Sequence, residues 1–288
     1  MELSFVAIQL LNGVQYGLLL FLIASGLTLT LGIMGIVNVA HGSFYMIGAY
    51  LAYTVSSRTG SLVIAMLVGV PLTVVLGAVL EWLLLSRLYR RDHLQQLLVT
   101  YGLILVFEEL RSILVGDDVH GVAVPAVLGA SIPLTDTLSY PLYRLIMSGI
   151  CLVVAGGLYL LIHRTRLGMV IRACNSNREM AQTLGVNVAI VYRLVFGLGV
   201  GLAAFAGLLA APVSSVFPGM GNQVLILCFV VVILGGIGSV WGALVAALGI
   251  GLADTMGKVL VPDYAGLAIY VPMAAVLLWR PEGLARRT

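Results

Sequence analysis

The chain has 288 residues, of which 61% are hydrophobic and only 9% charged, with a mean hydropathy of +1.11. A soluble domain carries roughly 25% charged residues, so this composition excludes the soluble globular class and describes an all-α, polytopic membrane protein. Continuous rather than alternating apolar runs exclude a β-barrel, and the net charge of +3 sits in basic clusters beside membrane helices, as topology signals and not as a nucleic-acid footprint.

The first apolar run goes from about Phe5 to Leu31, with Asn12 and Gln15 interrupting its start. It lacks a basic leader region and a cleavage site, so it is expected to remain as the first membrane helix. Gly32 and Gly35 mark a break, and Asn38 is the predicted N-cap of a second helix reaching Val55. A third helix spans about Leu62–Leu85 and ends in Arg87, Arg90 and Arg91. A fourth spans Leu94–Val115. An outer loop, 116–139, then holds Asp117, Asp118, His120, Pro125, Pro133 and Asp136 without a Lys or Arg, which suits the outer face.

A fifth helix, Leu142–Ile162, returns to a basic loop at 163–193. The sixth helix, Val188–Ala211, repeats small residues every fourth position at Gly199, Ala203, Gly207 and Ala211, a face for close packing in lipid. Pro212 ends it. After a turn at Pro218 and Gly219, an apolar stretch from Val224 to Ala253 is broken by LGGIGSVWG at Leu234–Gly242. A last helix, Ala265–Trp279, ends in Arg280, Arg286 and Arg287. The charge bias puts the N-terminus outside and the C-terminus inside, which demands an odd number of crossings, about seven to nine. Broken or re-entrant helices at membrane depth are tolerated only inside protein or along a cavity. Leu31-Gly32-x-x-Gly35-x-Val37 recurs as Leu234-Gly235-x-x-Gly238-x-Val240. The recurrence reads either as an internal repeat whose broken helices meet at a substrate path or as two unrelated interruptions.

The basic loop stands apart from the rest of the chain. It carries Arg164, Arg166, Arg172, Arg178 and Arg193 against the single acid Glu179, so it is predicted to be cytoplasmic. Ser176-x-x-Glu179 has the spacing of a capping box ahead of a helix over about Asn177–Leu184. Gly185 stands where a left-handed C-cap belongs, and Asn187 can cap the next membrane helix. Met180, Ala181 and Leu184 are expected on one face of this short helix, which is marginal alone. Two readings stand: a helix lying on anionic lipid, or a docking helix for a cytoplasmic partner.

No nucleotide or metal motif appears. GLADTMGKV at Gly251–Val259 has five residues between its glycines instead of four, and lacks the Ser or Thr of a phosphate-binding loop. The four His and three Cys show neither metal-ligand spacing nor a disulfide framework. Asn38, His41 and Tyr45 recur at i, i+3 and i+7 with Gly42 beside them. Polar groups inside membrane helices face a bundle interior or a cavity, so these residues either line a path or serve as a cap and a satisfied buried histidine. A transporter subunit is the leading class. A channel or secondary transporter, and an intramembrane enzyme, are the alternatives.

These segments together resemble the membrane permease subunit of Liv-type (branched-chain amino-acid type) ABC importers, in its LivH-like branch. The resemblance rests on LNGVQYG at Leu11–Gly17, GIMGIVNVAHGSFYMIGAY at Gly32–Tyr50, MVIRACNSNREMAQTLGVNVAIVYRLVFGLG at Met169–Gly199 and LGGIGSVWGALVAAL at Leu234–Leu248, and covers nearly the whole chain as one permease domain. It implies a cytoplasmic coupling helix with Glu179 and Gly185 six residues apart, involving Arg178, Met180, Ala181 and Leu184. The candidate residues for a substrate path are Asn12, Asn38, His41, Gly42, Ser43 and Tyr45. The implied partners are a homologous second permease, two ATPases that carry ATP and Mg²⁺, and a periplasmic binding protein, in a bacterial inner membrane. No cofactor is expected in this chain itself. In many amino-acid permeases of the family the residue after the His-Gly pair is acidic. Here it is Ser43, which either tilts selection toward amides, urea and aromatic or carboxylic acids, or only packs a helix.

Overall fold

A computed structural model describes residues 3–89, 91–135, 138–280 and 283–284. Arg90, Asp136, Arg286 and Arg287, named above, lie outside the described residues. Helix α1 (Leu3–Met34) is the axis of the bundle. It is apolar all round, and a helix of that kind must be buried all round. From Leu18 to Thr30 its side chains are almost completely buried. It packs against α5 (Leu142–Arg164), α8 (Val188–Ala210), α9 (Met220–Gly235) and α10 (Val240–Leu260), while α2 (His41–Thr59) lies on α8 and α9. Outside this core, α3 (Leu62–Leu83) runs along α8, while α4 (His93–Val115) touches mainly α2. Five of these helices, α1, α3, α5, α8 and α10, are long and apolar enough to cross a bilayer.

The break after α1 falls at Gly35, whose φ of 66° ends the helix. The second helix starts two residues later than the sequence suggests. Asn38 does not cap it. Its Oδ1 accepts a hydrogen bond from the Ala40 amide at 3.1 Å, a side-chain turn that competes with helix, and Ala40 occupies the cap. The outer loop also holds an unforeseen antiparallel hairpin, Ser131–Thr135 with Leu138–Pro141. The last apolar segment divides into a 3-10 turn, Pro262–Leu267, and a shorter α11 (Tyr270–Trp279).

The hairpin and the basic loop define two ends of the molecule. Tyr140 of the hairpin donates to Asn12 Oδ1 at 3.0 Å, so α1 begins at the hairpin end. At the opposite end the two repeated motifs meet: a Cβ on Gly32 would collide with the Gly238 backbone. After α11 the chain returns to this place, where the Leu284 amide donates to the Leu234 carbonyl at 2.7 Å. The described chain therefore starts at one end and finishes at the other. The small row on α8 lies at helix contacts, with Gly199 against Gly26 and Gly207 against the backbone of Tyr45.

Candidate functional site: a cavity with a few polar groups and a capped, exposed helix

Between α1, α2, α5 and the 210–224 segment lies a cavity of about 210 Å³. Gln15, Tyr16 and Leu19 of α1 reach it from one face at i, i+1 and i+4. Tyr45 comes from α2, Met147 from α5, Ser214 and Phe217 from the turn that joins α8 to α9, and Met220, Gln223 and Val224 from the start of α9. The polar groups are amides and hydroxyls, and among the described residues no charged side chain lines the cavity. Charges stand just outside it. Arg144 donates to Asn12 Oδ1 at 2.8 Å. The Lys258 ammonium pairs with Asp254 at 2.6 Å and lies 5.7 Å from the centre of the Tyr16 ring.

The residues expected along the path are thus distributed. Tyr45 lines the cavity. Asn12 sits one turn away, tied to Tyr140 and Arg144. His41 is fully buried, and its Nε2 pairs with the Ile23 carbonyl of α1 at 2.9 Å. Its Nδ1 and the Nδ2 of Asn38 are buried without a hydrogen-bond partner among the described residues. Gly42 carries no polar side chain. It lets α2 approach α9, because a Cβ there would run into the Gly221 carbonyl. Ser43 is buried and is not among the residues lining the cavity. Gln15 stood out in the sequence as a polar interruption and Tyr16 lies in the LNGVQYG motif. Ser214 and Gln223 were not legible, because only the packing of the α8–α9 turn and the start of α9 brings them to α1.

At the other end the basic loop folds into two helices. α6 (Arg166–Ser176) is one the sequence reading missed. Its signal was present: Thr165 caps it, accepting from the Gly168 amide at 3.1 Å, and Ile171 and Cys174 recur on a buried face. Arg172 donates back to the Ile162 carbonyl, one of the free acceptors at the end of α5. Because α6 runs through Ser176, that residue is helical and cannot cap the next helix. The expected capping box is absent. Asn177 takes its place, with φ −152° and its Oδ1 accepting from the Met180 amide at 2.9 Å.

Helix α7 (Arg178–Thr183) ends as the sequence suggests. Gly185 has φ 87°, its amide bonds to the Gln182 carbonyl, and the Val186 amide bonds to the Ala181 carbonyl, both at 3.0 Å. That pair of bonds is a Schellman cap, which needs a residue free to adopt positive φ. Asn187 then caps α8, accepting from the Ile190 amide at 3.3 Å. The expected single apolar face divides in two. Ala181 is buried against the bundle, while Met180 and Leu184 are 58% and 78% exposed. Glu179 is exposed in the first turn. Arg178 turns inward over the rings of Tyr89 and Tyr192.

The sequence matches the family described as "Branched-chain amino acid transport system / permease component" over residues 9–277. The chain is 30% identical to the high-affinity branched-chain amino acid transport system permease protein BraD of Pseudomonas aeruginosa, over 97% of this chain and 95% of that protein. It is 29% identical, over the same shares, to the corresponding protein LivH of Escherichia coli. A probable branched-chain amino acid transport permease protein LivH from the archaeal species Methanocaldococcus jannaschii is 28% identical over 85% of this chain and 79% of its own length. No solved structure matches the chain. Matched almost end to end in both directions, and folded as a helical bundle with an uncharged cavity at one end and a capped, exposed helix at the other, this chain belongs to the permease-component family of branched-chain amino acid transport systems.

Proposed function

We propose that this chain is one of two homologous permease subunits that together enclose the translocation path of an ABC importer. Helix α7 passes the closure of two cytoplasmic ATPases, which hold ATP and Mg²⁺, to the membrane helices. A periplasmic binding protein delivers solute to the hairpin end. The basic end then faces the cytoplasm of a bacterial inner membrane, with the start of the chain outside and its end inside, in keeping with the positive-inside bias.

The observation that carries this reading is α7 itself. Six residues make too short a helix to persist alone in water, yet this one is capped at both ends and anchored through Ala181 and Arg178. It holds Met180 and Leu184 outward, and an exposed apolar pair on a rigid mount suits a protein socket.

For the solute, the cavity supports the class named in the relatives. Leu19, Met147, Phe217 and Val224 would bury a branched aliphatic side chain, while Gln15, Tyr16 and Tyr45 supply hydrogen bonds to an ammonium and a carboxylate. The same uncharged lining leaves a second reading in play, in which Ser43 in place of an acid favours amides, urea or aromatic and carboxylic acids. Ser43 lies outside the lining, which favours its packing role. The test is competition uptake by the assembled importer, with leucine against a short amide and an aromatic carboxylate. Leucine outcompeting both, unaffected by Ser43→Glu, supports the branched-chain reading. Preference for the amide or carboxylate overturns it.

A further inference from the structure

Glu81 is the only charged residue in the 22-residue α3, and its carboxylate is almost completely buried. A buried charge is costly unless it is paired and hydrogen-bonded. Glu81 is held from two sides. Arg193 Nε of α8 approaches Oε2 at 3.2 Å, and the Tyr89 hydroxyl, from the turn between α3 and α4, donates to Oε1. Burial, and then the carboxylate itself, push the Tyr89 phenol above its usual range, so it stays a proton donor at every physiological pH.

The Tyr89 ring meets the Tyr192 ring edge-on at 5.1 Å. The Arg178 guanidinium of α7 lies over both, 5.5 Å from the first and 5.2 Å from the second. Five side chains therefore run without a gap from α7 to α3 and α8. Arg178 is the sole member contributed by α7, and its planar guanidinium can lie across both rings at once, whereas a compact, strongly hydrated ammonium acts as a point charge. Helix α8 continues from Tyr192 to Ala210, which lines the cavity. That is a rigid rod of about 27 Å by helical rise.

We propose that Arg178, Tyr89, Tyr192, Glu81 and Arg193 form the latch through which movement of α7 is passed to α3 and α8, with Arg178 as the positioning residue that engages it. The latch rests on the reading of α7 as the ATPase docking helix. Without Arg178, α7 keeps its caps, its buried Ala181 and its exposed Met180 and Leu184, so docking persists while the pull on α8 is lost. A purely structural cluster would instead lower the amount of folded complex and leave the coupling of what remains intact.

The experiment compares wild type, Arg178→Lys and Glu81→Gln in the assembled importer in proteoliposomes. It reads three quantities: recovery of the ATPase subunits with the permease, ATP hydrolysed, and solute moved. For Arg178→Lys the latch predicts normal recovery and about a tenfold rise in ATP hydrolysed per solute, the scale of a partly desolvated cation–π contact. Glu81→Gln should shift the ratio in the same direction; if it fails to accumulate, Arg178→Lys decides alone. An unchanged ratio in Arg178→Lys, whether or not both rates fall together, overturns the latch. Failure of the docking reading looks different, because a photocrosslinking amino acid at the exposed Leu184 of the wild-type permease would then give no ATPase adduct.

Discussion

The two ends of this bundle handle polar groups in opposite ways. At the cavity, Gln15, Tyr16 and Gln223 make no side-chain hydrogen bond to another described residue, and every lining group is neutral. At the basic end, Glu81, Arg193, Tyr89 and Arg178 are all engaged with one another. Polar groups left free in a membrane protein are expensive unless water or a solute satisfies them, whereas a closed network rigidifies the elements it joins. Under the function proposed above, solute handling falls to one end and force transmission to the other, with α8 common to both.

The largest expected effect comes from breaking what holds the two ends in one body. Gly42→Leu would drive a side chain into the Gly221 backbone. Backbone cannot move aside as a flexible side chain can, so the cost exceeds the usual 1–3 kcal/mol or so of overpacking. The variant should fail to accumulate in the membrane, read by immunoblot of membrane fractions; normal accumulation and transport would show that α2 and α9 are not in contact.

Next in size is Gly185→Val. The site is spacious but has φ 87°, where a β-branched residue is strained by about 1–3 kcal/mol. The permease should insert normally, bind solute normally and lose solute-stimulated ATP hydrolysis. If stimulation survives, the cap does not matter to coupling. Asn177→Ala, which removes the N-cap, should act in the same direction with about 1 kcal/mol of local cost. Glu179→Ala should have less effect, because its carboxylate only complements the dipole of a six-residue helix. The reverse ranking would restore the capping box inferred from the sequence.

The bundle was legible where sequence signals are long. Apolar runs, Gly breaks and the basic clusters gave helix positions to within a few residues for α3, α4, α5 and α8. It was less legible where two residues compete for one cap. Ser176 and Asn177 are adjacent and both suit an N-cap, and the choice fell to Asn177 because α6 packs Ile171 and Cys174 inward and so extends through Ser176. Asn38 misled for a related reason, since the same amide that caps helices also closes side-chain turns. The Glu81 cluster could not be read at all. Its members are 8 and 112 residues apart in sequence, and only the lone acid in an apolar run pointed to it.

The smallest effect concerns orientation. Cys174 is a poor reporter because it is buried, and burial raises its thiol pKa, so silence toward an impermeant reagent says nothing of the side it faces. Ser176 is exposed. A Ser176→Cys variant lacking the three native cysteines should resist an impermeant maleimide added to intact spheroplasts and react after permeabilisation. Labelling from outside would invert the orientation of the whole bundle.

The central claim is that α7 is the element the ATPases hold, and the exposed Leu184 tests it directly. A photocrosslinking amino acid placed at Leu184 in the assembled importer should yield an adduct with an ATPase subunit whose yield changes on adding ATP. Adducts with lipid alone, unaltered by ATP, would contradict the account and return α7 to the bilayer surface.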